Sequence, residues 1–155
     1  MAERKMRYED EPILRKKSRE VTDFNEKLFN LLDDMRETMT LHNGVGLAAV
    51  QVGELKRVFV VEIGEYFKEF VNPVIVKSEG ASIGSEGCLS VPGVSGYVER
   101  PESLVVKAQD REGNEFIEEA DGFLAVAICH EYDHLDGILY IDKVIPEEEL
   151  DFDEE

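Results

Sequence analysis

Apolar residues recur at helical spacing in the first quarter of the chain. The stripe that they form consists of Phe24, Leu28, Leu31, Leu32, Met35 and Met39. Steps of three and four residues bring side chains to one face of an α-helix, so this pattern predicts an amphipathic helix over residues 23–41. Asp23 and Glu26 have the spacing of a capping box at its start. We expect its leucine and methionine face to pack in the core.

A second helical pattern lies near the C-terminus. Its members are Phe123, Val126, Ala127, His130 and His134, and an adjoining apolar stripe is formed by Leu124, Ile128 and Leu135. Because both stripes are largely apolar, we predict a buried helix whose histidines face inward. Asp121 is suited to cap its start, and Gly137 is suited to end it in a left-handed conformation.

Four apolar-rich segments between these helices are typical of β-strands. They cover residues 57–63, 69–76, 104–109 and 115–119, and a turn at residues 110–114 joins the last two. Strands in one run, with a helix on either side, predict an α+β fold. We expect a mixed or antiparallel sheet whose strands pack around a central metal-binding helix.

The second helix contains the sequence His-Glu-x-x-His, written HEYDH. His130 and His134 are one helical turn apart and can share a metal ion. Glu131 is about 60° from His134 around the helix axis, close enough to act as a general base without binding the metal. The alternative is that the two histidines are satisfied core or surface residues without a ligand.

A metal ion needs a third protein ligand. Cys129 is about 140° from His134 around the helix, so it is predicted to pack in the core as a small hydrophobic residue. The only other cysteine is Cys88, in the turn-forming stretch SEGCLSVPG. A His/His/Cys set with an open fourth position is typical of a catalytic metal site. A buried free thiol or a disulfide to Cys129 are the alternatives for Cys88.

Composition limits the number of domains and the partners. The 155 residues are 43% hydrophobic, enough for one domain with a core, which we expect over residues 1–146. Seven acidic residues fall within residues 147–155 and predict a solvated tail. The net charge of −18 argues against binding nucleic acid or anionic membranes. Because no apolar run approaches a membrane span and no signal peptide is evident, we expect a cytoplasmic protein.

Glycine and alanine dominate residues 44–53, with the sequence GVGLAAVQVG. A dinucleotide-binding loop would follow a strand, whereas this stretch follows a helix. Small residues let the backbone approach a ligand closely, and the Gln51 amide could stabilise an oxyanion. A plain helix-terminating turn is the alternative. His42, just before this stretch, is expected to be a surface or capping histidine.

Three motifs, GVGLAAVQVG, EGCLS and HEYDH, together resemble the signature motifs of the peptide deformylases. The opening segment DEPILRKKSREV is also similar to that family, and the resemblance extends over residues 6–142. It implies that Cys88, His130 and His134 bind the metal and that Glu131 is the acid/base. It further implies Gln51 and the backbone amide of Leu89 as oxyanion donors.

The resemblance also implies the substrate and its binding residues. The reaction would remove the formyl group from formyl-methionine at the N-terminus of nascent peptides and release formate. The residues expected to bind the peptide are Gly44, Val45, Gly46, Glu86, Gly87, Phe123, Val126 and Ala127. Some bacterial members have a basic C-terminal helix for ribosome docking. This chain ends in an acidic tail instead, so any ribosome proximity is expected to be transient and not by that route.

Ligand chemistry and the family resemblance predict different metals. Two imidazoles and a thiolate suggest zinc, whereas the family resemblance implies Fe2+ in the cell, with Zn2+, Ni2+ or Co2+ possible in purified protein. Two other functions remain open at this stage. A zinc endopeptidase would also use His-Glu-x-x-His but usually has a His or Glu as third ligand. A non-enzymatic, metal-stabilised module would need a fourth protein ligand.

Overall fold

The structure is a computed structural model that describes residues 2–150. These residues form two α-helices, seven β-strands and short 3-10 turns. In chain order the helices and strands are α1 (Glu26–Leu41), β1 (Gly46–Ala48), β2 (Val58–Ile63), β3 (Tyr66–Glu79), β4 (Ser82–Cys88), β5 (Val91–Arg100), β6 (Ser103–Gln109), β7 (Glu115–Asp121) and α2 (Gly122–His134). The predicted α+β class is confirmed.

Five strands form one sheet in the order β1-β2-β3-β6-β7, and every neighbouring pair is antiparallel. Strands β4 and β5 form a separate antiparallel hairpin. The four predicted strands correspond to β2, β3, β6 and β7. β3 extends three residues beyond the predicted segment at each end, and β7 runs two residues further into the start of α2.

The apolar run of β2 is buried on both faces of the sheet. Val58 and Val60 pack in one cluster with α1, whereas Phe59 and Val61 pack in another cluster with α2. Because successive strand side chains point to opposite faces, the two helices lie on opposite sides of β2. The buried side of α2 therefore packs against the sheet beside β1. His130 and His134 lie on this buried side.

The start of α1 differs from the prediction. The helix begins at Glu26, and its N-cap is Asn25, whose side-chain Oδ1 accepts a hydrogen bond from the backbone N–H of Leu28 at 3.2 Å. The predicted capping box from Asp23 is wrong. Both side chains are good caps, and the local sequence alone does not decide between them.

Both ends of α2 follow the prediction more closely. Asp121 is the N-cap residue, although its side chain makes no capping hydrogen bond. The helix ends at His134, and after a short turn Gly137 adopts a φ of +76°. A Cβ atom on Gly137 would lie 2.5 Å from the carbonyl oxygen of Arg15. Glycine is therefore required here by both conformation and space.

The region after α2 contains no further α-helix within residues 2–150. Two 3-10 turns are present, Tyr140–Asp142 and Glu147–Glu149. Most of the predicted acidic tail, residues 151–155, lies outside the described residues. Across the part of the chain that the structure describes, no helix is long and apolar enough to cross a membrane.

Candidate metal centre and active site

Two elements bring the three predicted metal ligands together. Cys88 ends β4, and His130 and His134 lie on the last turns of α2. Ligand atoms of the three side chains all lie within 4.8 Å of one another. The Cys88 Sγ atom is 3.4 Å from Nε2 of His134, and the two imidazole centroids are 5.1 Å apart. The i, i+4 spacing thus gives the pair of rings that the sequence predicts.

The other cysteine takes no part in this group. Cys129 is 6% exposed and packs in the core cluster beneath α2. Burial raises the pKa of its thiol to about 11, which disfavours the thiolate that a metal requires. Cys88 and Cys129 are both free thiols, so the disulfide alternative is wrong.

Glu86 holds the ring of His130 in place. The Nδ1–H group of His130 donates to Oε1 of Glu86 at 3.0 Å, which leaves Nε2 as the nitrogen for a metal. Both carboxylate oxygens also accept hydrogen bonds from Arg100, at 2.8 and 2.9 Å. Arg100 in turn donates to Asp133 at 2.8 Å. Glu86 lines the cavity, but both of its oxygens already accept hydrogen bonds. It is therefore better suited to hold His130 than to bind a peptide.

These contacts set the charge of the group. Burial opposes ionisation of Glu86, but hydrogen bonds from Arg100 and His130 lower its pKa to about 2. For His130, burial favours the neutral ring, yet hydrogen bonds with Cys88 and Glu86 raise its pKa to about 10. Burial lowers the pKa of His134 well below its usual range. The sulfur and nitrogen donors suit a divalent metal ion, which would bind Nε2 of His130 in place of a proton.

Glu131 differs from Glu86 in having an oxygen without a partner. It is 5% exposed, and its Oε1 atom has no hydrogen-bond partner among residues 2–150. Burial raises its pKa to about 7. The other carboxylate oxygen, Oε2, faces Gly46, where an added Cβ atom would lie only 2.6 Å from it. The absence of a side chain at Gly46 therefore leaves room for this carboxylate, which is suited to accept and return a proton.

Gln51 lies on a 3-10 turn, Ala49–Val52, directly after β1. Its Oε1 accepts from the backbone N–H of Ala48 at 2.9 Å, which directs the amide nitrogen toward the metal group. Nε2 donates to Oγ of Ser90 at 3.0 Å and lies 3.5 Å from Sγ of Cys88. The stretch therefore does more than end a helix, because it forms strand β1 and presents the amide beside the thiol.

A cavity of about 630 Å³ opens over these groups. Every predicted site residue except the fully buried His134 lines it: Gly44, Val45, Gly46, Gln51, Glu86, Gly87, Cys88, Leu89, Phe123, Val126, Ala127, His130 and Glu131. Phe123 and Val45 are 58% and 41% exposed, so they lie at the mouth.

Sequence reasoning missed the remaining lining residues. They are Tyr8, His42, Asn43, Ser85 and residues 91–94. His42 is the C-cap residue of α1, as expected, and its Nε2 atom is 3.1 Å from a carboxylate oxygen of Glu3. It nevertheless reaches the cavity. Only the position of His42 just before the glycine-rich stretch could have indicated this.

The profile of the polypeptide deformylase family matches residues 4–149, almost the whole chain. This chain belongs to the polypeptide deformylase family. A peptide deformylase of Caldicellulosiruptor bescii is 61% identical over 155 residues, which is 97% of this chain and 93% of that protein. One from Acetivibrio thermocellus is 55% identical over 145 residues, 94% of this chain and 85% of that protein.

The fold is also similar to solved structures of this family. The crystal structure of peptide deformylase from Thermotoga maritima superposes with a TM-score of 0.91 at 39% identity, covering 93% of this chain and 99% of that one. As a polypeptide deformylase, this chain is a metal-dependent enzyme, and the predicted family resemblance is confirmed.

Proposed function

We propose that Cys88, His130 and His134 hold one divalent metal ion at which this polypeptide deformylase acts. The support is chemical: a thiol and two imidazoles converge within 4.8 Å. Glu86 fixes the ring of one imidazole, and the geometry leaves one side of the group open to the cavity. Three protein ligands with an open position are the arrangement of catalytic sites.

The reaction is removal of the N-formyl group from newly made peptides, the activity of the family to which the chain belongs. The observation that carries its assignment to this cavity is the buried carboxylate of Glu131. Its Oε1 atom has no partner among the described residues, and Glu131 follows His130 on α2 and lines the same cavity as Cys88 and His130. A buried, unpaired carboxylate is costly unless a substrate or a proton occupies it.

When bound, the divalent ion would lower the pKa of a coordinated water and polarise the formyl carbonyl. Glu131 accepts the proton of the attacking water and then donates it to the departing amine nitrogen. Oxygen charge that develops on the formyl group meets the Gln51 amide and the Leu89 backbone N–H. One N–H of Gln51 Nε2 donates to Ser90 Oγ, and the second N–H of this atom, which lies 3.5 Å from Cys88 Sγ, is the donor for the formyl oxygen.

The methionine side chain of the substrate would occupy the apolar part of the cavity. Val45, Phe123, Val126 and Ala127 line this part. Gly44, Gly46 and Gly87 also line the cavity, so their backbone groups are available to an extended peptide. We therefore propose N-formylmethionyl peptides as substrates.

Fe2+ is the metal that we propose in the cell, on the family resemblance. The donor set by itself suggests Zn2+, and Ni2+ or Co2+ can take the same ligands. A thiolate ligand beside a redox-active metal also makes Cys88 sensitive to air, so metal loading is best done anaerobically.

We also propose that residues 1–146 form the single catalytic domain and that residues 147–155 are a dispensable acidic tail. No predicted site residue lies beyond His134 in the chain. The net charge of −18 argues against nucleic acid as a partner, and residues 2–150 contain no basic C-terminal helix for ribosome docking.

The test is release of formate by protein loaded anaerobically with Fe2+ and, in parallel, with Ni2+ and Zn2+. We expect release from formyl-Met peptides, with acetyl-Met peptides and internal peptide bonds left intact. Weak activity with Zn2+ alone is compatible with the proposal. No formate release with any metal, from folded protein that has bound metal, would refute it. Cleavage of an unformylated protein substrate would favour an endopeptidase.

A further inference from the structure

The β4–β5 hairpin has an interruption beside the metal ligands. Its ladder pairs Gly87 with Ser95 and then Cys88 with Val91, so residues 92–94 have no partner in the ladder. We call these three residues the wall segment, because all of them line the cavity. Gly93, at its centre, has a φ of +77°. The wall segment therefore needs bonds from outside the hairpin to keep one position.

Tyr140 supplies such a bond. Its hydroxyl donates to the backbone carbonyl oxygen of Val94 at 2.9 Å. The residue lies on the 3-10 turn that follows α2 and is 1% exposed. The turn is itself anchored, because the Asp142 carboxylate accepts from the backbone N–H of Leu139 at 3.0 Å and from the Arg15 side chain at 2.5 Å.

The ring of Tyr140 also contacts the metal group. It stacks on the imidazole of His130, with centroids 5.8 Å apart and an interplanar angle of 26°. It packs in a small core cluster with Val91 and Val98, against which Cys88 also packs. A phenylalanine ring would make the same apolar contacts. The hydroxyl alone reaches across to the wall segment.

We propose that Tyr140 is a positioning residue for the substrate, because its hydroxyl fixes the wall segment relative to the metal ligands. This inference rests on the proposed function. The same side chain touches His130 and Val94, so the distance from the metal group to this wall of the cavity is set by one rigid ring. Without the hydroxyl, the wall segment samples more positions, and a peptide must order it on binding.

The substitution Tyr140→Phe tests the proposal, because it keeps the ring and removes only the hydrogen bond to Val94. We expect metal content to be unchanged, kcat to stay within about twofold, and KM for a formyl-Met peptide to rise about threefold to tenfold, the size of one hydrogen bond. We also expect faster amide hydrogen exchange at Gly93 and Val94, while the amides of β2 and β3 keep their protection.

Tyr66→Phe is the matched control. The hydroxyl of Tyr66 donates to the Glu118 carboxylate at 2.6 Å, and neither residue lines the cavity. We expect this variant to keep the parent KM and the parent exchange rates at the wall segment. An equal rise of KM in both variants would assign the effect to general loosening and overturn the proposal.

Two further outcomes would also overturn it. One is Tyr140→Phe with the parent KM and parent exchange at the wall segment. The other is a variant that loses metal and kcat together, which would mean that the hydroxyl acts on the ligands and not on the wall. Hydrogen exchange is measured without substrate, so it tests the hydrogen bond even if the parent protein releases no formate. Absence of formate release by the parent protein would count against the proposed function and not against the role of Tyr140.

Discussion

Two walls of the cavity can be compared by their acids: the hairpin wall, formed by β4 and β5, and the helix wall, formed by α2. Each contains one buried carboxylate, and the two carboxylates differ in their hydrogen bonding. Glu86, on the hairpin wall, accepts hydrogen bonds from Arg100 and His130 through both of its oxygens. Glu131, on the helix wall, has an oxygen without a partner in the described part of the chain. Because of these surroundings, the pKa of Glu86 is lowered to about 2 and that of Glu131 is raised to about 7.

This difference assigns the two acids to different tasks. A carboxylate that stays charged and fully bonded is suited to hold a ligand ring, whereas one whose pKa is near neutrality can exchange a proton with substrate. The kind of contact also differs. Glu86 is held by hydrogen bonds from Arg100 and His130, whereas Glu131 has its position from α2 and its space from the missing side chain at Gly46.

The largest expected effect comes from removing the proton carrier. In Glu131→Ala, metal content should be unchanged because all three ligands remain, while the rate of formate release should fall at least about a hundredfold. Glu131→Gln, which keeps the shape of the side chain, should lose a similar factor. Metal analysis and turnover on the same sample check this. Full activity, or protein that is recovered without metal, would show that Glu131 has another role.

Gly46→Ala disturbs the same carboxylate without touching its chemistry. The new Cβ would lie 2.6 Å from Oε2 of Glu131, so the carboxylate must shift. We expect the rate to fall about tenfold to a hundredfold, since small displacements of a catalytic group are costly. Gly84→Ala on β4 is the control, because a Cβ there has nothing within 4 Å. Equal activity of the two variants would contradict the close fit at Gly46.

On the hairpin wall, Glu86→Gln should reduce metal affinity and stability more than it changes the chemistry. It removes one of the two carboxylates that pair with Arg100, whose side chain is 4% exposed. A broken buried pair typically costs about 3 to 5 kcal/mol, and we expect less here because Asp133 still pairs with Arg100. Metal affinity should fall about tenfold to a hundredfold because the ring of His130 loses its anchor. Denaturant unfolding and metal titration measure the two effects. Parent-like values in both would remove the distinction between the two acids.

The smallest expected effect is at the C-terminus. A chain that ends at Pro146 should release formate from a short formyl-Met peptide at the parent rate, because no predicted site residue lies beyond that point. A large loss of rate in a folded protein would mean that the acidic tail reaches the cavity.

The helix wall could be predicted from the sequence because helical spacing is local. The step of four residues between His130 and His134, and the apolar positions around them, determine which side faces inward. Strands β2, β3, β6 and β7 could be predicted for a similar reason, because apolar residues on at least one face of each are buried or partly buried.

The hairpin wall could be predicted only in part. Strands β4 and β5 are rich in glycine and serine, so they show little alternation of apolar and polar residues, and neither was identified. Cys88 was found by ligand chemistry, but the bond of Glu86 to His130 joins residues 44 positions apart, and the bond of Tyr140 to Val94 joins residues 46 apart. Contacts at such distances depend on the whole fold, which local patterns do not specify.

The central claim is that the two walls meet at one metal ion held by Cys88, His130 and His134. The most direct measurement is the amount of divalent metal bound per chain in Cys88→Ala and in Cys129→Ala, the chain's other free thiol. We predict one ion per chain in the parent protein and in Cys129→Ala, and loss of tight binding in Cys88→Ala. Parent-like binding by a folded Cys88→Ala variant, or loss of metal in Cys129→Ala with Cys88 intact, would contradict the account.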